Sequence, residues 1–410
     1  MRVALYYPWI YLTSGAERTL LRLTEHSRHD WTFLTNRFEP SNTFPEFSSR
    51  NIKLLKPLSV ERSVTKTAES CWQLLWQQLP LDGFDALVVV CEGVGDLTLM
   101  RNHRLPAMNI CLTPLRIAFD EAYRENWSKD FSFAKRAAVS IGAQAFRLVD
   151  RLAWRHYSRI FCISGEVKRR VVAGGLASSE QVEVLFPALG VTGFTEAPEY
   201  EPFFLLPGRI MWTKNLELGI RAFQEFSARR GADQTPFRLV IAGIVDAKSR
   251  PYLAKLQELA AGDSRIEFRI HPSDAELGEL YRSCYCTLFT AFNEDYGIVP
   301  LEGMSYAKAT IAVNRGGPRE TVGHGRHGFL EEPEPDAFAA RMEEMASSPE
   351  LARSLGQAGR NHARGFTWTE FARTVDDALD EAVAEHAAAG GQVLSDQSNN
   401  SNHPRALSRL

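Results

Sequence analysis

The stretch CTLFTAFNEDYGIVPLEG, residues 286–303, reads as a strand, a polar loop and a helix start arranged to hold an anion. Cys286 to Phe289 is a short apolar run of the kind that a parallel sheet buries on both faces. Pro300 reads as the first residue of a helix, where its missing N–H costs nothing. Gly297, Ile298 and Val299 then offer backbone N–H groups at a helix N-terminus, a site suited to a diphosphate. Glu302 falls in the first helical turn, where a carboxylate can accept hydrogen bonds from the two vicinal hydroxyls of a ribose. Glu294, eight residues earlier, faces the other end of such a ligand. Alone, the two acids would mean only a helix-dipole partner and a solvated loop.

Outward from this stretch the same unit repeats. Upstream, Phe203 to Leu206 reads as a strand, Leu216 to Arg229 as a helix, Phe237 to Ala242 as a strand, and Ile266 to Arg269 as another. Downstream, Thr310 to Val313 is a further strand. An earlier series runs through Val3 to Tyr7, Trp31 to Leu34, Ile52 to Leu55, Ala86 to Cys91, Ala107 to Leu112, Arg159 to Ser164 and Val182 to Phe186. Repeated βα units predict doubly wound parallel sheets, and two series predict two domains. The expected division is an N-terminal domain over 1–190, a Gly- and Pro-bearing linker over 191–202, a C-terminal domain over 203–385 and a disordered tail over 386–410. Ligands of open α/β sheets bind at the carboxyl ends of strands, so two facing sheets put the expected site in the cleft between the domains.

Three more strand ends carry informative residues. Gly208-Arg209 and Lys214-Asn215 follow Phe203 to Leu206, and two cations there can neutralise a diphosphate leaving group. Arg315-Gly316-Gly317-Pro318-Arg319-Glu320 follows Thr310 to Val313, with glycines that allow close approach of backbone to ligand. Ser14-Gly15-Ala16-Glu17 follows the first strand and fits a capping box, leaving Gly15 at a helix tip that can approach a phosphate or an acceptor. The first turn lacks G-x-G-x-x-G, which weighs against a nicotinamide or flavin enzyme.

Composition narrows the class. The chain has 410 residues, 44% hydrophobic and 24% charged, with net charge -3, so no basic field argues for nucleic acid. The N-terminus does not read as a signal peptide, and no apolar run approaches the ~20 residues that span a bilayer. A cytoplasmic protein is expected, peripheral at most at the inner face of a membrane. Cys284 and Cys286 form a C-x-C pair with no second pair at zinc spacing, so a metal site is not expected.

At this point the chain resembles the retaining GT-B glycosyltransferases of family 4, the group 1 glycosyl transferases. The resemblance rests on E-x7-E (Glu294, Glu302), G-R-x4-K-N (Gly208, Arg209, Lys214, Asn215) and G-G-x-x-E (Gly316, Gly317, Glu320), in that family's order, and runs from about Phe203 to Val375. It implies that Arg209 and Lys214 hold the donor diphosphate with the backbone of Gly297, Ile298 and Val299, that Glu302 binds the ribose, and that Glu294 contacts the transferred sugar near the reacting carbon. It implies no metal and no cofactor, only a nucleotide-diphosphate sugar as co-substrate. Gly-Ile-Val-Pro-Leu-Glu is similar to mannosyltransferases that use GDP-mannose. One departure is Leu112 before Thr113-Pro114, where many relatives carry His.

The expected reaction is transfer of a hexose to a glycan or lipid-linked acceptor, as in cell-surface polysaccharide or lipopolysaccharide synthesis. The alternative is a catalytically silent GT-B scaffold that binds a partner, which Leu112 keeps open. Arg147, Arg151, Arg155 and Arg159 recur every four residues along an expected helix over Ala134 to Tyr157. Such a stripe is either a solvated face or a contact for anionic headgroups.

Overall fold

The computed structural model describes residues 1–60, 63–190, 192–195, 197–230 and 235–400, and the chain divides into two compact units. The first comprises Met1–Ile163, Val167–Leu185 and the segment from Trp368 onward. Its strands are β1 (Arg2–Tyr6), β2 (Asp30–Thr35), β3 (Ile52–Leu54), β4 (Ala86–Cys91), β5 (Ala107–Cys111), β6 (Tyr157–Cys162) and β7 (Val182–Val184). They are parallel and ordered β3-β2-β1-β4-β5-β6-β7, so the order reverses between β1 and β4. The apolar run Ala86 to Val90 has no solvent exposure, which is why it reads as continuous rather than alternating. Helices α1 (Gly15–His26), α2 (Val64–Trp76) and α3 (Phe133–Trp154) belong to this unit.

The second unit comprises Phe186–Thr367 with the three residues Ser164–Glu166. Its strands are β8 (Phe203–Pro207), β9 (Arg238–Gly243), β10 (Ile266–Ile270), β11 (Cys286–Phe289), β12 (Thr310–Val313) and β13 (Gly328–Glu331). The order β10-β9-β8-β11-β12-β13, again all parallel, repeats the reversal of the first sheet between β8 and β11. Both faces of β8 are buried, Phe204 and Leu206 in one cluster, Phe203 and Leu205 in the other. Each such side chain contributes about 1.5–3 kcal/mol, so the sheet carries the stability and the loops at its ends can carry charge. Helices α4 (Leu216–Arg229), α5 (Asp274–Ser283), α6 (Ile298–Ser305) and α7 (Pro318–Thr321) connect these strands.

The C-terminal boundary differs from the expected one. A last helix, α8 (Trp368–Asn400), begins inside the segment assigned to the second domain, yet it belongs to the first unit. It buries Phe371, Ala372, Val375 and Leu379, and Asp376 accepts hydrogen bonds from the Ser27 hydroxyl (2.5 Å) and the Arg28 N–H (2.9 Å). Partners some 350 residues apart leave no local signal in a sequence. The tail expected from residue 386 is helical to Asn400, while 401–410, Val191 and Glu196 lie outside the described residues.

The arginine stripe is also corrected. Helix α3 ends at Trp154, and Arg159 stands in β6, where it pairs with Glu385 (2.7 Å). Arg147 donates to the Ala118 carbonyl (2.6 Å) and Arg151 to that of Gly174 (2.9 Å). These two guanidinium groups satisfy backbone carbonyls and turn inward, while Arg155 stays exposed. The outward face carries Ile141, Leu148 and Leu152.

Candidate functional site

The second unit concentrates the expected residues at the carboxyl ends of β8 and β11. The chain leaves β8 through Gly208 at φ 141°, a left-handed conformation that favours glycine. Gly208 N–H donates to the Ala242 carbonyl (2.9 Å), and a Cβ on Gly243 would lie 1.8 Å from the Gly208 oxygen. This close strand-end packing turns Arg209 into solvent. A short turn over Trp212–Lys214 follows, and Asn215 at φ 47° starts α4.

Two hydrogen bonds stitch this loop to the one after β11. The Thr290 hydroxyl donates to the Lys214 carbonyl (2.9 Å), and the Phe292 N–H donates to that of Thr213 (2.7 Å). They bring Lys214 Nζ within 2.5 Å of Glu294 Oε2, with side chains only 17% and 24% exposed. The two residues expected at opposite parts of a ligand thus form an ion pair, shielded enough from water to interact more strongly than a surface pair.

The Gly316-Gly317 pair explains how Glu294 is held. Gly317 N–H donates to the Glu294 carbonyl (2.8 Å), and a Cβ on Gly316, at φ 65°, would lie 2.4 Å from that same oxygen. The close approach expected for a ligand is made to the Glu294 backbone itself. Glu320 accepts from the N–H groups of Gly165 (2.6 Å) and Glu166 (2.8 Å), which occupies its carboxylate within the unit.

Helix α6 begins at Ile298, so Pro300 is its third residue and Glu302 its fifth, two residues deeper than expected. Proline fits there too, since the first four N–H groups of a helix have no intrahelical acceptor. Gly297 is the residue before the helix and has no side chain of its own to cap it. A Cβ on Gly297 would come within 2.4 Å of Thr321 Oγ1, so glycine is needed for packing as well. Glu302 is half-buried, and its Oε2 accepts from the Tyr281 hydroxyl (3.1 Å). Tyr281 is fully buried and stacks on Tyr306 with centroids 5.6 Å apart. Burial first, and then the Glu302 charge, push its phenol well above the usual tyrosine range. It therefore stays protonated and orients the Glu302 carboxylate.

Gly15 belongs to the first unit, at the first position of α1, where an added Cβ would meet nothing within 4 Å. The expected capping box is not formed. Ser14 Oγ accepts from Ala16 N–H (3.2 Å), and Glu17 turns back to accept from Leu12 N–H (3.2 Å). Glu17 is buried, which raises its carboxyl above the usual range, the Ser14 hydrogen bond opposing. Nearby, Leu112 is buried, and Thr113 accepts a hydrogen bond from Arg170 (2.9 Å).

Residues 193–362, which contain all of the second-unit site, match the glycosyl transferases group 1 family. The match is confined to this segment, which is similar to that family. Its similarity to the human alpha-1,3/1,6-mannosyltransferase ALG2 is 34% identity over 195 residues, covering 43% of this chain and 47% of that protein. The chain thus spans about half the length of the curated relatives it matches. Among solved structures it is similar to Anabaena HepE in complex with UDP, with a TM-score of 0.69 at 15% identity over 93% of this chain and 100% of that one. Sucrose-phosphate synthase from Thermosynechococcus elongatus gives 0.69 at 16%, over 94% and 100%. At such identities the likeness shows the fold alone, that of the GT-B glycosyltransferases.

Within this matched segment, Tyr281 and Thr290 were not legible as site residues. Tyr281 sits on the buried face of α5, where a tyrosine reads as core. Thr290 is one hydroxyl beyond a strand, and only the fold shows that it ties two loops together.

Proposed function

We propose that this chain is a retaining, metal-independent hexosyltransferase that moves a hexose from a nucleotide-diphosphate sugar to a glycan or lipid-linked acceptor. The observation that carries the reading is the Lys214–Glu294 pair, 2.5 Å apart, whose acid lies on the loop that leads from β11 into the start of α6. In this reading Arg209 and Lys214 take the donor diphosphate together with the N–H groups of Gly297, Ile298 and Val299. The diphosphate draws the Lys214 ammonium away from Glu294, and the released carboxylate turns to the sugar. There Glu294 stabilises the positive charge that grows on the anomeric carbon, while the two cations stabilise the leaving diphosphate. Glu302, held by Tyr281, accepts from the ribose hydroxyls, and Gly15 leaves room at a helix tip for phosphate or acceptor. GDP-mannose is the proposed donor, supported by relatives named mannosyltransferases at 32–34% identity.

Calorimetry with GDP, UDP, GDP-mannose and UDP-glucose tests this. One nucleotide binding wild type and binding Glu302→Ala about 10- to 100-fold more weakly, the worth of a hydrogen bond to a charged group, supports the donor site. A folded protein that binds none of the four sinks it. Leu112, an apolar buried residue beside Thr113, favours one second reading, a silent partner-binding subunit. Donor binding without transfer or donor hydrolysis would select it.

A peripheral position at the cytoplasmic face of an anionic membrane belongs to the same proposal, with a surface that keeps only Arg155 of the arginine stripe. Ile141 is 70%, Leu148 64% and Leu152 44% exposed along one line of α3. Exposed Lys135, Arg136 and Arg155 accompany them, as expected of an amphipathic helix lying on anionic headgroups. Among the described residues no helix is long and apolar enough to cross a membrane. Flotation with phosphatidylglycerol vesicles is expected to carry wild type, and Leu148→Glu/Leu152→Glu to stay behind. Equal flotation of both removes α3 from the proposal.

A further inference from the structure

The first unit carries a cleft of about 500 Å³ that the donor chemistry does not use. It lies at the ligand end of its sheet. Tyr6 is the last residue of β1, Asn36 follows β2, and Leu55 and Lys56 follow β3. The facing wall is α2, whose Trp72 and Trp76 stand one turn apart, 66% and 56% exposed. Their ring centroids are 5.9 Å apart with planes tilted by 57°. Single exposed apolar residues are ordinary, but two neighbouring indoles on a concave surface mark a binding site.

The cleft is built on fixed parts. The Tyr6 hydroxyl donates to Asn36 Oδ1 (2.8 Å), and Asn36 Nδ2 donates to Gln77 Oε1 (2.7 Å) and to the Lys56 carbonyl (2.6 Å). Gln73 Nε2 also reaches the carbonyls of Lys56 and Pro57, each at 3.2 Å. These bonds lock the loop after β3 to the end of α2. Arg101 lies over the Trp76 ring, 4.2 Å from its centroid, and sets the tilt of that ring. The helix end that carries the indoles is therefore tied down before any ligand arrives, and Trp76 is backed by Arg101, which lowers the cost of binding.

We infer that the Trp72–Trp76 cleft is a saccharide-binding site that seats a pyranose ring against the indoles, with its hydroxyls toward Lys56, Glu69 and Gln78. A pyranose has an apolar face of axial C–H groups and a rim of hydroxyls, and this cleft has indole faces with an amide, a carboxylate and an ammonium at its edge. An apolar helix or acyl chain would cover the same polar groups and leave them without hydrogen bonds, at a penalty. A nucleotide would meet Glu69 beside its phosphates. The inference goes beyond the nucleotide-sugar reading and does not depend on it.

The test is fluorine NMR of the full chain labelled with 5-fluorotryptophan, the two signals assigned from Trp72→Phe and Trp76→Phe. Mannotriose, maltotriose and chitotriose are the probes, without nucleotide. At least one is expected to move both signals along a saturating curve while the remaining indole signals stay in place. Trp72→Ala/Trp76→Ala, followed through ligand-observed spectra, is expected to bind about tenfold more weakly, and the double Phe variant to keep most of the affinity. The wild-type titration decides even if the double Ala variant does not fold. Three flat titrations overturn the inference, as does affinity that survives loss of both rings. So does a response of the two signals to brominated-lipid vesicles with none to the saccharides.

Discussion

The two units share a strand order and differ in what stands at the strand ends. In the second, the β8 and β11 loops bring a cation and an acid together, Lys214 and Glu294, just before a helix start whose cap residue is Gly297. In the first, the helix after β1 is capped by Ser14, and its acid, Glu17, is folded inward. The other strand ends there carry amides and indoles: Asn36, Gln77, Trp72 and Trp76. One topology thus offers an end with an ion pair suited to a diphosphate and an end of indoles and amides, rimmed by Lys56 and Glu69, suited to hydroxyls. Side chains a few residues past each strand decide the chemistry, and the sheet supplies only their positions.

The largest effects are expected at the charged end. Lys214→Ala removes a cation from the leaving group and leaves the Glu294 carboxylate without its ammonium. Glu294→Gln keeps the shape and removes the charge. Each is expected to lower kcat about 100- to 1,000-fold, as loss of one transition-state donor does, with circular dichroism unchanged. A loss confined to KM in steady-state assays would mean the pair only binds the donor.

The glycines sharpen the contrast. Gly316→Ala forces a left-handed residue to carry a Cβ 2.4 Å from the Glu294 oxygen, and about 1–3 kcal/mol of stability is expected to go. Gly15→Ala places its Cβ in open space, and urea unfolding is expected to show stability unchanged or slightly raised. If Gly15 nonetheless faces a ligand, donor or acceptor affinity falls without any change in the unfolding midpoint.

These differences also explain what the sequence could tell. The α/β class was legible because Ala86 to Val90 and Phe203 to Leu206 are apolar without alternation, and both runs are buried strands. Arg209, Lys214, Glu294 and Glu302 could be singled out because each lies just beyond a strand or at a helix start; that Lys214 meets Glu294, 80 residues away, could not. Contacts between distant segments were not legible. Gly316 reads as a ligand contact until its neighbour proves to be Glu294, and nothing local to Asp376 tells that Ser27, 349 residues away, donates to it. The arginine stripe failed for a related reason: periodicity gives a helix face, and only the fold says which face is covered.

Acid separates the units least, yet by sign. In the second unit His327 and His362 stack with centroids 4.3 Å apart. Burial first, then neighbouring positive charge, lowers both below the ordinary imidazole value of 6.5. The unfolded chain then takes up protons before the folded one, so this stability is complete above 6.5 and is lost as pH falls through the folded values. In the first unit His156, stacked on His103 at 4.2 Å, adds a loss of the same sign. There, however, burial raises Glu17 and Asp150 above their ordinary values of 4.5 and 3.8. The folded form of these acids holds its protons to higher pH, so they destabilise the fold as pH rises and release that cost as pH falls toward those values. Going from pH 7.5 to 5.5, hydrogen exchange corrected for its intrinsic rate is therefore expected to speed up more in β11 than in β4. His362→Gln is expected to shrink the change in β11, and Asp150→Asn to slow exchange in β4 at pH 7.5. Equal acceleration of both strands, untouched by either substitution, would show that the two units open together and that their buried groups do not set the difference.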